Sequence, residues 1–225
     1  MQKHVFFDLD STLAKIEGLD YLAASRGLGA RLTEITMQAM NGELPMQNAM
    51  AAKLRAIRPN REELVDLAAV YLANLTQGTK ETLCKLEKHG FKVWVISGNF
   101  HPAVSIVAQH LGIHPDRVLA NKLIFHQDGK YRSFDLNQPL VQNSGKTILI
   151  RRHTKLDDLV FMVGDGATDL ETQGTVDLFI GFGGVVRREI VAQNAKIYLE
   201  DPDLRAIIPH ILNFQKSKVI KNKLQ

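Results

Sequence analysis

The sequence predicts an α/β fold: a doubly wound parallel sheet with a helical cap inserted after the first strand and a small β-hairpin element. Three observations predict it. Short apolar runs alternate with helical stretches, as βαβ units require. One long helical tract, residues 15–75, interrupts that alternation near its start. Three of the apolar runs end in polar residues suited to chemistry, and in open parallel sheets ligands bind outside the carboxyl ends of the strands.

Taken in order, the first apolar run gives a strand over residues 4–8 and leads into Asp8-Leu9-Asp10-Ser11-Thr12. Residues i and i+2 of a strand share a face, which predicts that Asp8 and Asp10 point the same way. The cap tract shows helical periodicity at 18–26, 29–40, 45–56 and 61–73, broken by Asn41-Gly42 and Arg58-Pro59-Asn60. Residues 79–89 form an amphipathic helix closed by Gly90, and Cys84 within it reads as a packed thiol. A second strand, 92–96, runs into Ser97-Gly98-Asn99. Further strands are expected at 117–120, 159–163 and 176–181. Gln127-Asp128-Gly129-Lys130 lies between two apolar segments, so 122–134 reads as a hairpin. The strand at 159–163 ends in Gly164-Asp165-Gly166-Ala167-Thr168-Asp169, and Gly145-Lys146 precedes it by about one helix.

This layout divides the chain into a core, residues 1–14 and 76–212, a four-helix-bundle-like cap, 15–75, and a basic tail, 213–225. Composition bounds the rest. With 225 residues, 45% hydrophobic and 23% charged, the chain has an ordinary globular make-up. No apolar run approaches the ~20 residues of a membrane helix, so no membrane partner is expected. Cys84 is the single cysteine, which excludes an intrachain disulfide and suits a cytoplasmic setting. The N-terminus has no signal-peptide layout. The net charge of +4 equals the four lysines Lys216, Lys218, Lys221 and Lys223. The body is therefore formally neutral, and no nucleic-acid partner is expected; the tail reads as a frayed, solubilising end. Oligomeric state stays open, a homodimer included. The eight histidines show no metal-ligand spacing and read as structural or surface residues.

Two carboxylates at a strand mouth can hold a hard divalent cation, or divide nucleophilic and proton-transfer roles between them. Joined by a second acidic cluster, a serine and a lysine, the set resembles the haloacid-dehalogenase superfamily of aspartate-nucleophile phosphatases. Within it, the chain is similar to the phosphoserine phosphatase family from about residue 4 to about residue 212. Asp8-Leu9-Asp10-Ser11-Thr12, Ser97, Lys146 and Gly164-Asp165-Gly166-Ala167-Thr168-Asp169 carry the four motifs. Glu17-Gly18-Leu19-Asp20, Ala39-Met40, Gly42, Pro45, Ala120-Asn121-Lys122-Leu123 and Ile180-Gly181-Phe182-Gly183-Gly184 extend the likeness. Two positions depart from it: Asn99 stands where the family usually has glycine, and Lys53 where it has an arginine against the substrate carboxylate.

The resemblance implies a HAD-like core and a Mg²⁺-dependent phosphomonoesterase that hydrolyses O-phospho-L-serine, the last step of serine biosynthesis. Asp8 is the expected nucleophile, forming an aspartyl-phosphate, and Asp10 the general acid and base. The expected metal set is Asp8, Asp165, Asp169 through a bound water, and the backbone carbonyl of Asp10. Lys146 and Ser97 would meet the phosphoryl group, helped by the Gly98 and Asn99 amides. In the cap, Glu17 would meet an ammonium and Lys53 a carboxylate, with Met40 and Met46 lining the pocket; in the core, Thr168 matches a family position near the phosphate. Three other readings remain: a phosphatase or phosphotransferase for another small phosphorylated metabolite, a non-catalytic binding module, and a phosphorylatable signalling domain.

Overall fold

The computed structural model describes the backbone of residues 1–223 and the side chains through Lys218. A seven-stranded sheet forms the centre: β1 (Lys3–Phe7), β2 (Lys92–His101), β3 (Val118–Phe125), β4 (Tyr131–Phe134), β5 (Leu159–Gly164), β6 (Leu178–Phe182) and β7 (Ile197–Leu199). Their spatial order is β4-β3-β2-β1-β5-β6-β7. All neighbours pair in parallel except β3 and β4. Strand order reverses at β1, which lies between β2 and β5, and such a switch point opens a crevice at the strand ends.

Alternation along β1 explains why helices cover both faces. Val5 and Phe7 join one buried cluster with Leu83, Leu86, Val104, Ile207 and Ile211. Phe6 joins the other, with Trp94, Ile96, Ile150, Met162 and Val191. The first cluster packs under α5 (Thr79–Lys88), α6 (Ala103–His110) and α10 (Ile207–Lys223), the second under α7 (Gly145–His153) and α9 (Glu189–Asn194). A short helix, α8 (Ala167–Leu170), follows β5. Among the described residues no helix is long and apolar enough to cross a membrane.

Four helices make the insertion: α1 (Gly18–Ala24), α2 (Gly29–Met40), α3 (Met46–Ile57) and α4 (Arg61–Ala73). A capping box starts α4: Asn60 accepts from the Glu63 N–H while Glu63 accepts from the Asn60 N–H, each at 2.8 Å. Two hydrogen bonds pair the chain where it leaves the core for the insertion with the chain where it returns. Lys15 N–H donates to Asn74 (2.8 Å) and Thr76 N–H to Leu13 (2.9 Å).

Several sequence expectations need correction. The expected strand 117–120 and the first arm of the hairpin are one strand, β3, whose first part pairs with β2 and whose second part pairs with β4. The ladder of β2 runs past its apolar run to His101, with an irregularity between Ser97 and Phe100. The expected strand 176–181 begins at Leu178, and β7 went unread because three half-buried residues give no periodic signal. Cys84 is exposed, not packed, because α5 turns Thr82, Leu83 and Leu86 inward instead. Residues 213–223 continue α10 rather than fraying: Phe214 meets Phe161 edge-on at 5.7 Å, and Lys218 pairs with Asp177.

Candidate active site

The crevice at β1 collects side chains from the core below and the cap above. Asp8 follows the last residue of β1, and its N–H still donates to Val163 (3.0 Å) on β5. The chain then makes one wide turn over Leu9–Leu13, with Ser11 in the left-handed region (φ 51°). Asp10 lies within that turn. The strand-face argument for aligning Asp8 with Asp10 is therefore wrong in its cause: β1 ends too early, and the turn brings both to one cavity.

Asp8, Asp165 and Asp169 form the floor. One carboxylate oxygen from each lies within 4.8 Å of the others, and all three residues are buried. Two cations hold this charge. Lys146, on the first turn of α7, lies 3.0 Å from Asp8 Oδ1 and 2.5 Å from Asp169 Oδ1. Arg188 donates through Nε to Asp165 Oδ2 (2.6 Å) and through a terminal nitrogen to Glu17 Oε1 (2.8 Å). Asp169 also accepts from the Gly166 N–H (3.0 Å). Its carboxylate packs so tightly under Gly164 that a Cβ there would lie 2.2 Å from the Asp169 carboxyl carbon, so the motif needs glycine at that approach.

Burial sets the electrostatics. It pushes Asp8 well above the carboxylate range against the pull of Lys146, and it raises Asp10 against the donors of Tyr71, Gly18 and Asn99. Burial, opposed by Arg188, brings Asp165 up to about 6. Glu17 rises to about 8, from burial and then the neighbouring Asp10 and Asp165 carboxylates. For Lys146, burial works against the charge, but Asp169 and Asp8 overcome it and raise the ammonium further.

A small cavity of about 60 Å³ separates floor and cap. Asp8, Asp10, Glu17, Met40, Met46 and Lys53 line it, together with Gly98, Asn99, Lys146, Asp165 and Thr168. Two expected site residues stand outside that lining. Asp169 is fully buried behind Lys146, and Ser97 is fully buried at the end of its apolar run. Ser97 Oγ accepts from the Asn99 N–H (3.1 Å), which leaves its hydroxyl hydrogen to donate. The Asn99 amide is thereby occupied and is not free for a phosphoryl oxygen, contrary to expectation. Lys53 donates to Asp20 Oδ1 (2.9 Å) and to Thr36 Oγ1, so its charge is partnered within the cap.

Sequence reasoning missed four members of this network. Tyr71 reads as one more apolar position of α4, and Arg188 as half of an exposed Arg187-Arg188 pair. Asp20 lies inside a matched stretch and was open to notice; Thr36 had no signal beyond a small polar residue on an inward face.

The family model for haloacid dehalogenase-like hydrolases matches residues 5–172. The chain belongs to this family. Its relatives point to one branch within it. Phosphoserine phosphatase of Mus musculus is 41% identical over 202 residues, 88% of each chain. A solved structure described as a substrate-bound phosphoserine phosphatase complex shares 28% identity with a TM-score of 0.78, covering 93% of this chain and 98% of that one. A second, described as a phospho-aspartyl intermediate analogue of phosphoserine phosphatase, superimposes at 0.79 with the same identity and coverage.

Proposed function

We propose that this chain hydrolyses O-phospho-L-serine to L-serine and inorganic phosphate through a phosphoaspartate on Asp8. The observation that carries the reading is the convergence of Asp8, Asp10, Lys146 and the Asp165–Asp169 pair at one sheet switch point, under a cap that presents Glu17 and Lys53. Kinship to phosphoserine phosphatases over most of the chain supports the choice of substrate.

The three floor carboxylates fit Mg²⁺: they are hard oxygen donors, mutually close and buried, and their charge now draws two cations. Asp8 and Asp165 would hold the ion with the Asp10 carbonyl, while Asp169, already tied to Lys146 and Gly166, would orient a bound water. Bound there, the ion supplies charge neutralisation for a phosphoryl group.

The chain's own residues account for each proton and bond. A carboxylate oxygen of Asp8 attacks phosphorus as the ester P–O bond breaks, and Asp10 gives its proton to the departing serine oxygen. Water then attacks the phosphoaspartate, Asp10 takes back a proton, and the Asp8–phosphorus bond breaks. Lys146 offsets the charge of Asp8 and of a phosphoryl oxygen, and the Ser97 hydroxyl donates to another. Glu17 meets the ammonium of the substrate and Lys53 its carboxylate.

One observation favours a second reading. Lys53 is already satisfied by Asp20 and Thr36, and an ammonium lacks the fork of a guanidinium. The same chemistry on another small phosphomonoester without a carboxylate accommodates that. Phosphate release from L-phosphoserine, with Mg²⁺ and then with EDTA, tests the first reading. Fast, chelator-sensitive release is expected; slow release beside brisk hydrolysis of other small phosphomonoesters supports the second. The fold and the charge balance favour a small-molecule partner, with no nucleic acid.

A further inference from the structure

Tyr71 is fully buried on α4, and its hydroxyl lies directly behind Asp10 and Asn99, which line the cavity. It donates to Asp10 Oδ1 at 2.5 Å, where the Gly18 N–H also donates at 2.7 Å. Asn99 Nδ2 donates to the Tyr71 oxygen at 2.7 Å and approaches Asp10 Oδ2 at 3.3 Å. The Asn99 side-chain oxygen accepts from the Phe100 N–H at 2.9 Å, which fixes which end of the amide faces Tyr71. The result is a directed chain from amide to phenol to carboxylate, in which each bond polarises the next.

The arrangement is tighter than a buried phenol needs. A Cβ at Gly18 would lie 2.1 Å from the Tyr71 hydroxyl and 2.6 Å from Asn99 Nδ2. Only glycine lets the three groups close on Asp10 together. Their grip is uneven: Oδ1 has two short partners, whereas Oδ2 has one long one.

We infer that Tyr71, with Asn99, is a positioning residue that pins Asp10 Oδ1 and leaves Oδ2 to exchange the proton with the leaving oxygen and the attacking water. This rests on the role proposed above for Asp10. Tyr71 lies in the last turn of α4, three residues before Asn74, which accepts from the Lys15 N–H at the other end of the insertion.

Leaving-group dependence tests this. An alkyl leaving oxygen needs its proton; a p-nitrophenolate leaves without one. In single turnovers with Mg²⁺, Tyr71→Phe is expected to slow leaving-group release from phosphoserine about tenfold, a share of the ~10²–10⁴ that a positioned acid supplies. Release from p-nitrophenyl phosphate should change less than about twofold, with KM for phosphoserine little altered. In an Asp10→Asn background the same substitution should add nothing, because the two act as a unit. An equal loss on both substrates, or a full further loss beside Asp10→Asn, would mean that Tyr71 serves only the packing. Should Tyr71→Phe fail to fold, Asn99→Ala removes the other half of the clamp and is read in the same way. If Asp10→Asn itself leaves the alkyl-to-aryl ratio unchanged, the assignment of Asp10 fails, and this inference fails with it. If Asp10→Asn shifts the ratio and neither clamp variant does, the positioning role alone fails.

Discussion

Two buried lysines face the cavity from opposite sides, and their partners differ. Lys146 rises from the core between Asp8 and Asp169, both members of the carboxylate floor. Lys53 descends from the cap against Asp20 and Thr36, which belong to cap helices themselves. The core cation is wired into groups proposed to break bonds, and the cap cation into groups that only shape a pocket. Loss of the first should act on turnover, and loss of the second on affinity.

The largest effect expected on the core side is that of Asp8→Asn. It should lower turnover by at least about 10⁴-fold, as loss of a nucleophile does elsewhere, while circular dichroism shows an unchanged fold. Substantial residual phosphate release would move the nucleophile away from Asp8. Next comes Lys146→Met, with kcat expected to fall roughly 10²- to 10³-fold, the scale of one lost charge-stabilising donor. It leaves two buried carboxylates facing each other without a cation. The metal-free variant should therefore unfold more easily, by about 3–5 kcal/mol in denaturant titration.

On the cap side, Lys53→Met should raise KM for phosphoserine about tenfold or more, the worth of one hydrogen bond to a charged group. KM for phosphoethanolamine, which has no carboxylate, should hardly move. A kcat effect as large as that of Lys146→Met would erase the distinction between the two lysines.

A pH measurement sharpens the picture further. Asp165, raised from 3.8 to about 6, and Glu17, raised from 4.5 to about 8, bind protons more tightly in the folded chain than in the unfolded one. Their contribution to stability is complete below their ordinary values and is lost as pH rises through the raised ones. The melting temperature of the metal-free protein should therefore fall between pH 5 and 8, and added Mg²⁺ should flatten that fall. A rise over the same interval would reverse the assignment. Smallest of all, Lys53→Arg should leave KM for phosphoserine within about threefold or lower it, because the charge is kept and a fork is gained.

The same contrast explains what could be read from the chain itself. Core groups follow apolar strands directly, Ser97 and Asp165 beside glycines and Asp8 ahead of a second aspartate, so all three announce themselves by local pattern. The helices of the cap were legible too, since period and breakers survive at short range. Their partners were not. Tyr71 and Asp10 are 61 residues apart, and Arg188 and Glu17 are 171 apart. Nothing near either member of a pair states the other. Even the alignment of Asp8 with Asp10 was right for the wrong reason, because a one-residue shift in a strand end turns a pleat argument into a turn argument.

The central place of β1 has a consequence for synthesis. Its neighbours pair His4 with Lys92 and Lys3 with Leu159, partners that leave the ribosome long after it does. At bacterial or eukaryotic elongation rates of ~5–20 residues per second, the first strand waits many seconds for its second edge. During that interval Val5, Phe6 and Phe7, all fully buried in the finished protein, have no completed sheet to enter. The strand that leads into the chemistry is thus the first made of the seven and the one that waits longest for its second edge.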